Sequence, residues 1–342
     1  MNSKGHSIKK RLLAVVLIGL GIFSLVAGGS LIMLDLYSRQ SLHVEDGHLV
    51  RITQGMSVTQ LSGLLAESQI IPSVRSFVVY VRVANWLDGA TIKAGEYQLN
   101  ANDTVADVVS RFQAGVVKQY RVTFPEGWTV SQWRSHIRSL RDLIIVDEAD
   151  DQTLLQTIAP ATDHRPEGMF YPDTYYFRRG DTEISVLRRA HHRMQSVLAE
   201  EWALRGEVPL NSAYEALILA SVVEKETGLA DDRSLVASVF VNRLSVGRRL
   251  ESDPTVIYGI PDFDGDLTRL HLRTDTPYNT YRRHGLPPTP ICNPGRAAIS
   301  AVLNPAVSDY FYFVARGDGS SQFSRTLEEH EAAVRRYQLG IP

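Results

Sequence analysis

The run LLAVVLIGLGIFSLVAGGSLIML, from Leu12 to Leu34, sets the first constraint on this chain, because it places 23 residues in a row without a single charge. A helix of that length can cross the roughly 30 Å of a bilayer's hydrocarbon. Lys4, Lys9, Lys10 and Arg11 precede the run and Asp35 follows it. By the positive-inside rule, residues 1–11 form a cytoplasmic tail, residues 12–34 a transmembrane anchor in the lipid bilayer, and everything beyond about residue 36 lies outside. A cleaved signal peptide has a shorter apolar region and ends on small residues. VAGGS keeps that second reading open, while the length favours a retained anchor. The expected location is the inner membrane, crossed once, with the working part facing the periplasm or the cell exterior.

The 342 residues, 44% apolar, exceed the usual span of one domain, so two soluble domains are expected beyond the anchor and a tether over 35–47. A net charge of -2 lacks the footprint of a polyanion binder, and no nucleic-acid partner is expected. Cys292 is the single cysteine, which excludes an intramolecular disulfide and any multi-thiolate metal site. The histidines form no HExxH, and His191 and His192 are adjacent rather than a turn apart. DFDGD, from Asp262, has Leu267 where a calcium loop needs glycine and Arg273 where it needs glutamate. Neither a metal nor a cofactor is expected, and no GxSxG elbow or phosphate-binding glycine loop is present.

One pattern recurs in MSVTQLSGLL from Met56, DTVADVVSRF from Asp103 and WTVSQWRSHI from Trp128. Ser57 with Gln60 and Thr129 with Gln132 fit the capping box, in which hydroxyl and amide satisfy each other's free backbone donors; Thr104 with Asp107 fits it less well. Strand-like segments HLVRI, GEYQL and YRVTF lie between these helix starts. The rhythm predicts a small α+β module over 48–119, either a plain folding unit or a glycan contact.

The segment 120–342 carries the denser motifs. EGMFYPDTYYF, from Glu167, sets five aromatics around a Pro-Asp turn, which suits a sugar groove or an aromatic core edge equally. PYNTYRRHGLPPTPICNPG, Pro277 to Gly295, holds five prolines and two glycines and predicts a rigid irregular loop. SAYEALILASVVEKET predicts a helix capped by Ser212, and DDRSLVASVFVNRLSVG a second one capped by Asp231 or Asp232 and stopped at Gly247.

The first of these helices ends on two carboxylates, Glu224 and Glu226, at the end of an apolar run. A carboxylate there meets the negative end of the helix dipole, and if it is also desolvated its pKa rises, as a proton donor at neutral pH requires. Residues two apart on a helix point about 200° away from each other, so both cannot face one pocket. Glu226 continues the line of Leu219 and Val223, and periodicity favours it by a thin margin. EKE as a plain solvated helix end remains the other reading.

LASVVEKETGLADDRSLVASVFVNRL, LESDPTVIYGI, YNTYRRHGLPPTPICNPG and YFYFVARGDGSSQFSRTLEEH, in that order, resemble the membrane-anchored endolytic murein lytic transglycosylases. The resemblance covers nearly the whole chain and implies an α+β protein. Its parts are a transmembrane helix, a LysM-like module over 48–119 and an α+β catalytic domain over 120–342 with a lysozyme-like helical substructure. It implies Glu226, the second glutamate of EKET, as the catalytic residue, with Glu224 as the runner-up. Asp173, Tyr175, Asp253, Tyr258, Asn279 and Tyr281 lie in the shared motifs and are the candidate substrate-binding residues, although Asp253 before Pro254 is equally a turn residue. Cys292 departs from the small or apolar residue expected in its loop.

The implied reaction is cleavage of the MurNAc-β-1,4-GlcNAc bond of nascent peptidoglycan with a 1,6-anhydro-MurNAc end, which terminates strand elongation. Glycosidases that use water need two carboxylates, and this chemistry needs one. The implied partners are peptidoglycan glycan strands and the peptidoglycan synthases that make them. A hydrolytic muramidase and a non-enzymatic, membrane-anchored glycan-binding scaffold remain as alternatives.

Overall fold

The computed structural model describes residues 3–146 and 150–340, with side chains from residue 12 onward. Residues 1–2 of the expected tail and 341–342 of the expected catalytic domain lie outside the described residues. The chain is a mixed α/β protein of two compact units, 1–119 and 120–342.

The first unit runs α1 (Ser3–Ser38), β1 (His48–Ile52), α2 (Val58–Glu67), α3 (Val74–Asp88), β2 (Gly95–Leu99) and α4 (Val105–Ala114). Leu12–Ser38 of α1, with a mean hydropathy of 2.5, is long and apolar enough to cross a membrane. β1 and β2 pair antiparallel, His48 opposite Leu99 and Ile52 opposite Gly95. Their alternation sends Val50, Ile52, Tyr97 and Leu99 into a core shared with Leu61, Leu65, Phe77, Val81 and Phe112. The weak capping partner proves sufficient: Asp107 accepts from the Thr104 N–H at 2.9 Å while Thr104 caps Asp107, closing the box on α4. Arg111, one turn on, pairs both oxygens of Asp103 at 2.6 and 2.8 Å.

The stretch 35–47 is not a free tether. α1 continues to Ser38, Tyr37 and Leu42 are buried in the unit's core, and the Leu42 N–H bonds the Asp103 carbonyl at 2.9 Å. Two large apolar side chains outweigh the polar residues around them, so the segment packs.

The second unit runs β3 (Tyr120–Thr123), α5 (Val130–Arg138), α6 (Asp151–Ile158), β4 (Thr174–Phe177), α7 (Glu183–Ala203) and α8 (Ala213–Glu226). It continues through α9 (Ala230–Ser245), α10 (Asp253–Tyr258), α11 (Arg269–Arg273) and α12 (Arg296–Leu303) to the hairpin β5 (Tyr312–Ala315) and β6 (Ser321–Ser324), and ends on α13 (Leu327–Tyr337). β3 pairs antiparallel with β4, and β5 with β6. α8 is the axis, since every residue from Ala216 to Val223 is buried, with α7, α9, α10 and α12 against it. Ser212 caps it by accepting the Glu215 N–H.

α9 departs from expectation, because Leu229 sits at its N-cap without a side-chain bond and Asp231 and Asp232 fall in the first turn. There they still favour the positive end of the helix dipole. Asp232 accepts the Ser321 N–H at 2.6 Å and so ties α9 to β6.

The proline-rich stretch 277–295 forms no helix or strand and lies along α8. The buried Ser221 hydroxyl accepts the Ile291 N–H at 2.9 Å, and the Cys292 thiol reaches the Ser221 carbonyl at 3.3 Å. Cys292 is fully buried there, a small apolar filler with its pKa pushed well up by burial. Gly168 meets the same loop: its φ is +80°, and a Cβ on it would come within 2.5 Å of Pro290.

Asn293 closes the arrangement. Fully buried, it donates from Nδ2 to the Trp128 carbonyl and accepts the Phe170 N–H at Oδ1, both at 3.0 Å. Asn293→Ala leaves the Phe170 N–H without its acceptor in the interior. We expect a loss of about 2–3 kcal/mol, seen as a lower urea midpoint at unchanged slope.

Candidate active site

α8 delivers Glu226 from the core to the floor of a groove of about 520 Å³. One wall is the turn into α10, with Glu251, Asp253 and Tyr281; the other is Tyr312, Phe313 and Val314 of β5 with Leu327, His330 and Val334 of α13. Glu226 Oε1 accepts the Ser252 hydroxyl at 2.5 Å. Ser252 is itself fixed: its N–H bonds Thr280 Oγ1 at 3.0 Å, its carbonyl accepts the Thr255 hydroxyl at 2.7 Å, and the two threonine hydroxyls meet at 2.8 Å. Serine and both threonines are buried. The preceding residue, Glu251, takes a left-handed φ of +50°, a conformation that costs a non-glycine residue about 1 kcal/mol or more and aims Ser252 at the acid.

Burial pushes the Glu226 pKa up to about 7; the Ser252 hydrogen bond opposes that rise and the negative charge of Asp253 adds to it. Asp253 accepts the Tyr281 hydroxyl at 2.7 Å, so the carboxylate and the phenol form one polar rim beside the acid. Burial holds the Tyr281 phenol well above its ordinary value, which keeps it a donor.

Arg243 of α9 braces both walls, with Nη1 on the Leu250 carbonyl at 2.6 Å, Nε on the Phe311 carbonyl at 2.7 Å, and Glu251 at 3.2 Å.

The other predicted residues sit elsewhere. Glu224 leaves α8 on a different side and accepts the Gly295 N–H at 3.0 Å, at the start of α12. Its pKa rises, first through burial and then through Glu126. A Cβ on Gly295 would collide with that Glu126 carboxylate, at 1.7 Å. Asn279 is fully buried, and its amide donates to the His271, Leu272 and Thr274 carbonyls, which fixes the loop rather than a ligand. The Tyr175 hydroxyl bonds the Tyr171 carbonyl within the core, and Asp173 caps its own turn at the Thr174 N–H. Tyr258, at the far end of α10 from Asp253, donates to Glu167 at 3.1 Å.

Sequence reasoning missed Ser252, Arg243 and Glu167. Glu167 is only 7% exposed, accepts the Val130 N–H at 3.1 Å and, like Glu226, is pushed up to about 7 by burial. It joins the start of α5 to the end of α10, and both its oxygens are engaged there. Among the described residues, no group of three or more histidines, cysteines or acids could hold a metal.

Glu167 and Glu226 give up their protons at about 7 in the folded chain, whereas in the unfolded chain they do so at about 4.5. The native state therefore binds more protons across that window, and stability falls as pH rises from about 4.5 to 7. Glu226→Gln removes one contribution to that fall. Urea unfolding across the window should show a shallower loss of stability with pH than wild type, with the variant more stable than wild type at pH 8.

The YceG-like family model matches residues 50–336 of the chain. A Bacillus subtilis protein named endolytic murein transglycosylase is 29% identical over 305 residues, 84% of each chain. A Streptococcus pneumoniae protein of the same name is 26% identical over 319 residues, which are 83% of this chain and 57% of that relative's length. The crystal structure of a YceG-like protein from Listeria monocytogenes aligns with 84% of this chain and 98% of its own, at a TM-score of 0.54 and 30% identity.

Proposed function

The chain belongs to the YceG-like family, and from that premise we propose that it is an endolytic murein transglycosylase in which Glu226 is the proton carrier. The observation that carries the assignment of Glu226 is its setting: a carboxyl held protonated near neutral pH by burial, at the end of a buried helix and on the floor of a groove. A general acid needs that pKa to be charged with its proton where the enzyme works.

In the proposed reaction protonated Glu226 gives its proton to the bridging oxygen of a MurNAc-β-1,4-GlcNAc bond as the C1–O bond breaks. Positive charge develops at C1, and the Asp253 carboxylate on the same rim stabilises it while Tyr281 holds that carboxylate in place. The glutamate, now ionised, takes the proton of the C6 hydroxyl, and that oxygen closes onto C1. One C–O bond breaks and one forms, the proton returns to Glu226, and a 1,6-anhydro-MurNAc end results without water. Ser252, donating to Glu226, steadies the carboxylate between the two transfers.

Leu12–Ser38 would serve as a single-pass anchor, with the basic residues before it on the cytoplasmic side and the groove in the periplasm, near nascent strands and the synthases that make them. Two helices between antiparallel strands in the first unit support a LysM-like, glycan-contacting role there. The helices packed round α8 support a lysozyme-like substructure.

Mass spectrometry of uncrosslinked glycan strands digested by the full-length chain tests the reading. Anhydro ends should form, vanish with Glu226→Gln by about 10³-fold or more in rate, and persist with Glu224→Gln. Reducing ends instead would mean a muramidase, and loss with Glu224→Gln alone would move the chemistry to the other carboxylate. Because the acid must carry its proton, kcat/KM should fall as pH rises above about 7. Ser252→Ala removes a donor to the ionised form and should move that limb to higher pH, whereas Asp253→Asn removes a repelling charge and should move it lower.

A further inference from the structure

Beside the acid groove lies a second concavity of about 310 Å³ whose lining is dominated by cations. Arg243, Glu251 and Tyr312 form its wall in common with the Glu226 groove; Arg248, Arg249 and His284 are its own. Glu251 is the one acid in the lining, and Arg243 already pairs it at 3.2 Å. No ion pair of Arg248 or Arg249 is found among the described residues. Arg249 Nε is buried without a hydrogen-bond partner among those residues. Arg248 has its guanidinium carbon 4.7 Å from the centroid of the Phe311 ring and spends one N–H on the Tyr312 hydroxyl at 3.4 Å. His284 Nδ1 faces the Gly247 carbonyl at 2.9 Å, so that nitrogen donates and fixes the ring at the rim.

Two guanidinium groups lining one pocket without a carboxylate partner make it locally positive. The whole chain carries a net charge of -2, so the cluster is local and not a background of positive charge. A planar fork of N–H donors suits an oxyanion best. We propose that this pocket is an anion subsite that takes an oxyanion covalently carried by the glycan strand, positioned by the same wall that positions the scissile bond. The inference rests on the proposed reading of the Glu226 groove. Two groups on a nascent strand have this chemistry: a carboxylate of the peptide on the muramyl lactyl group, and the phosphate of a lipid-linked end.

The test uses full-length protein in detergent with three strand preparations: lipid-free strands with free peptide carboxylates, the same strands with those carboxylates converted to methylamides, and lipid-diphosphate-linked strands with methylamide peptides. For a carboxylate subsite, Arg249→Gln and Arg248→Gln should each raise KM for the first preparation about tenfold, the size of one charge-assisted hydrogen bond, with kcat held. Wild-type protein should bind the methylamide strands as weakly as the variants do. Arg249→Lys should recover part of the loss, which a folding defect would not. If the tenfold loss follows the diphosphate-linked strands instead, the occupant is the phosphate. A loss equal on charged and neutral strands, or no loss, overturns the subsite and leaves both arginines as residues of the turn between α9 and α10. Fluorescence anisotropy of the same strands on the Glu226→Gln background needs no turnover, so the subsite is judged there even if the acid is another residue. Failure of the wild type to make anhydro ends would sink the transglycosylase reading alone.

Discussion

The second unit depends on one helix that cannot reach water. From Ala216 to Val223 α8 presents no exposed residue, so every neighbour must cover some part of it, and α7, α9, α10 and α12 do so. Such a helix has a fixed end, because a shift along its axis would disturb packing on all sides at once. A carboxylate placed at that end inherits both the rigidity and the desolvation. The apolar burial that stabilises the unit is therefore the same force that keeps Glu226 protonated.

That also explains why Glu224 and Glu226 have different surroundings although one lysine separates them. Their two-residue offset sends one toward the start of α12 and the other into the groove. Glu224 is held by a backbone N–H, a partner that stays in place and leaves the carboxylate committed. Glu226 is held by a hydroxyl, which can donate to the ionised form and rotate to accept from the protonated one. A carboxyl that gives up and regains a proton, as proposed for Glu226, is better served by the second kind of partner.

The elements set by local chemistry were legible in the sequence. HLVRI and GEYQL form β1 and β2 over the residues quoted, and all three proposed helix starts close their capping boxes, because each depends only on residues three apart. α8 was legible from Ser212 and an unbroken apolar run. α7 was not, although Val186, Leu187, Ala190, Met194, Val197 and Leu198 keep helical spacing, since its buried face also carries Glu183, His191 and Glu201. Of the six residues proposed to meet substrate, only Asp253 and Tyr281 share the groove with Glu226. Asn279 and Tyr175 look like ligands in a motif, but the Asn279 amide N–H and the Tyr175 hydroxyl donate to carbonyls of the fold, and Asn279 Oδ1 accepts the Tyr281 N–H. Ser252 carried no signal at all, because its pairing with a residue 26 positions earlier is created by the αL turn at Glu251 and the threonine clasp behind it.

Arg243 shows how the groove keeps its width. It reaches the Leu250 and Phe311 carbonyls with separate nitrogens and stacks over Tyr312 at 5.2 Å, so one side chain on the rigid face of α9 sets the spacing between the α10 turn and the β5 strand. Neither wall has a sheet of more than two strands to hold it. A guanidinium suits this post because its donors lie in a fixed plane and it stays charged when buried, where a lysine would tend to lose its proton. Arg243, Glu251 and Tyr312 line both the acid groove and the basic pocket, so a strand bound as proposed has its scissile bond and its nearest charged substituent on either side of one shared wall.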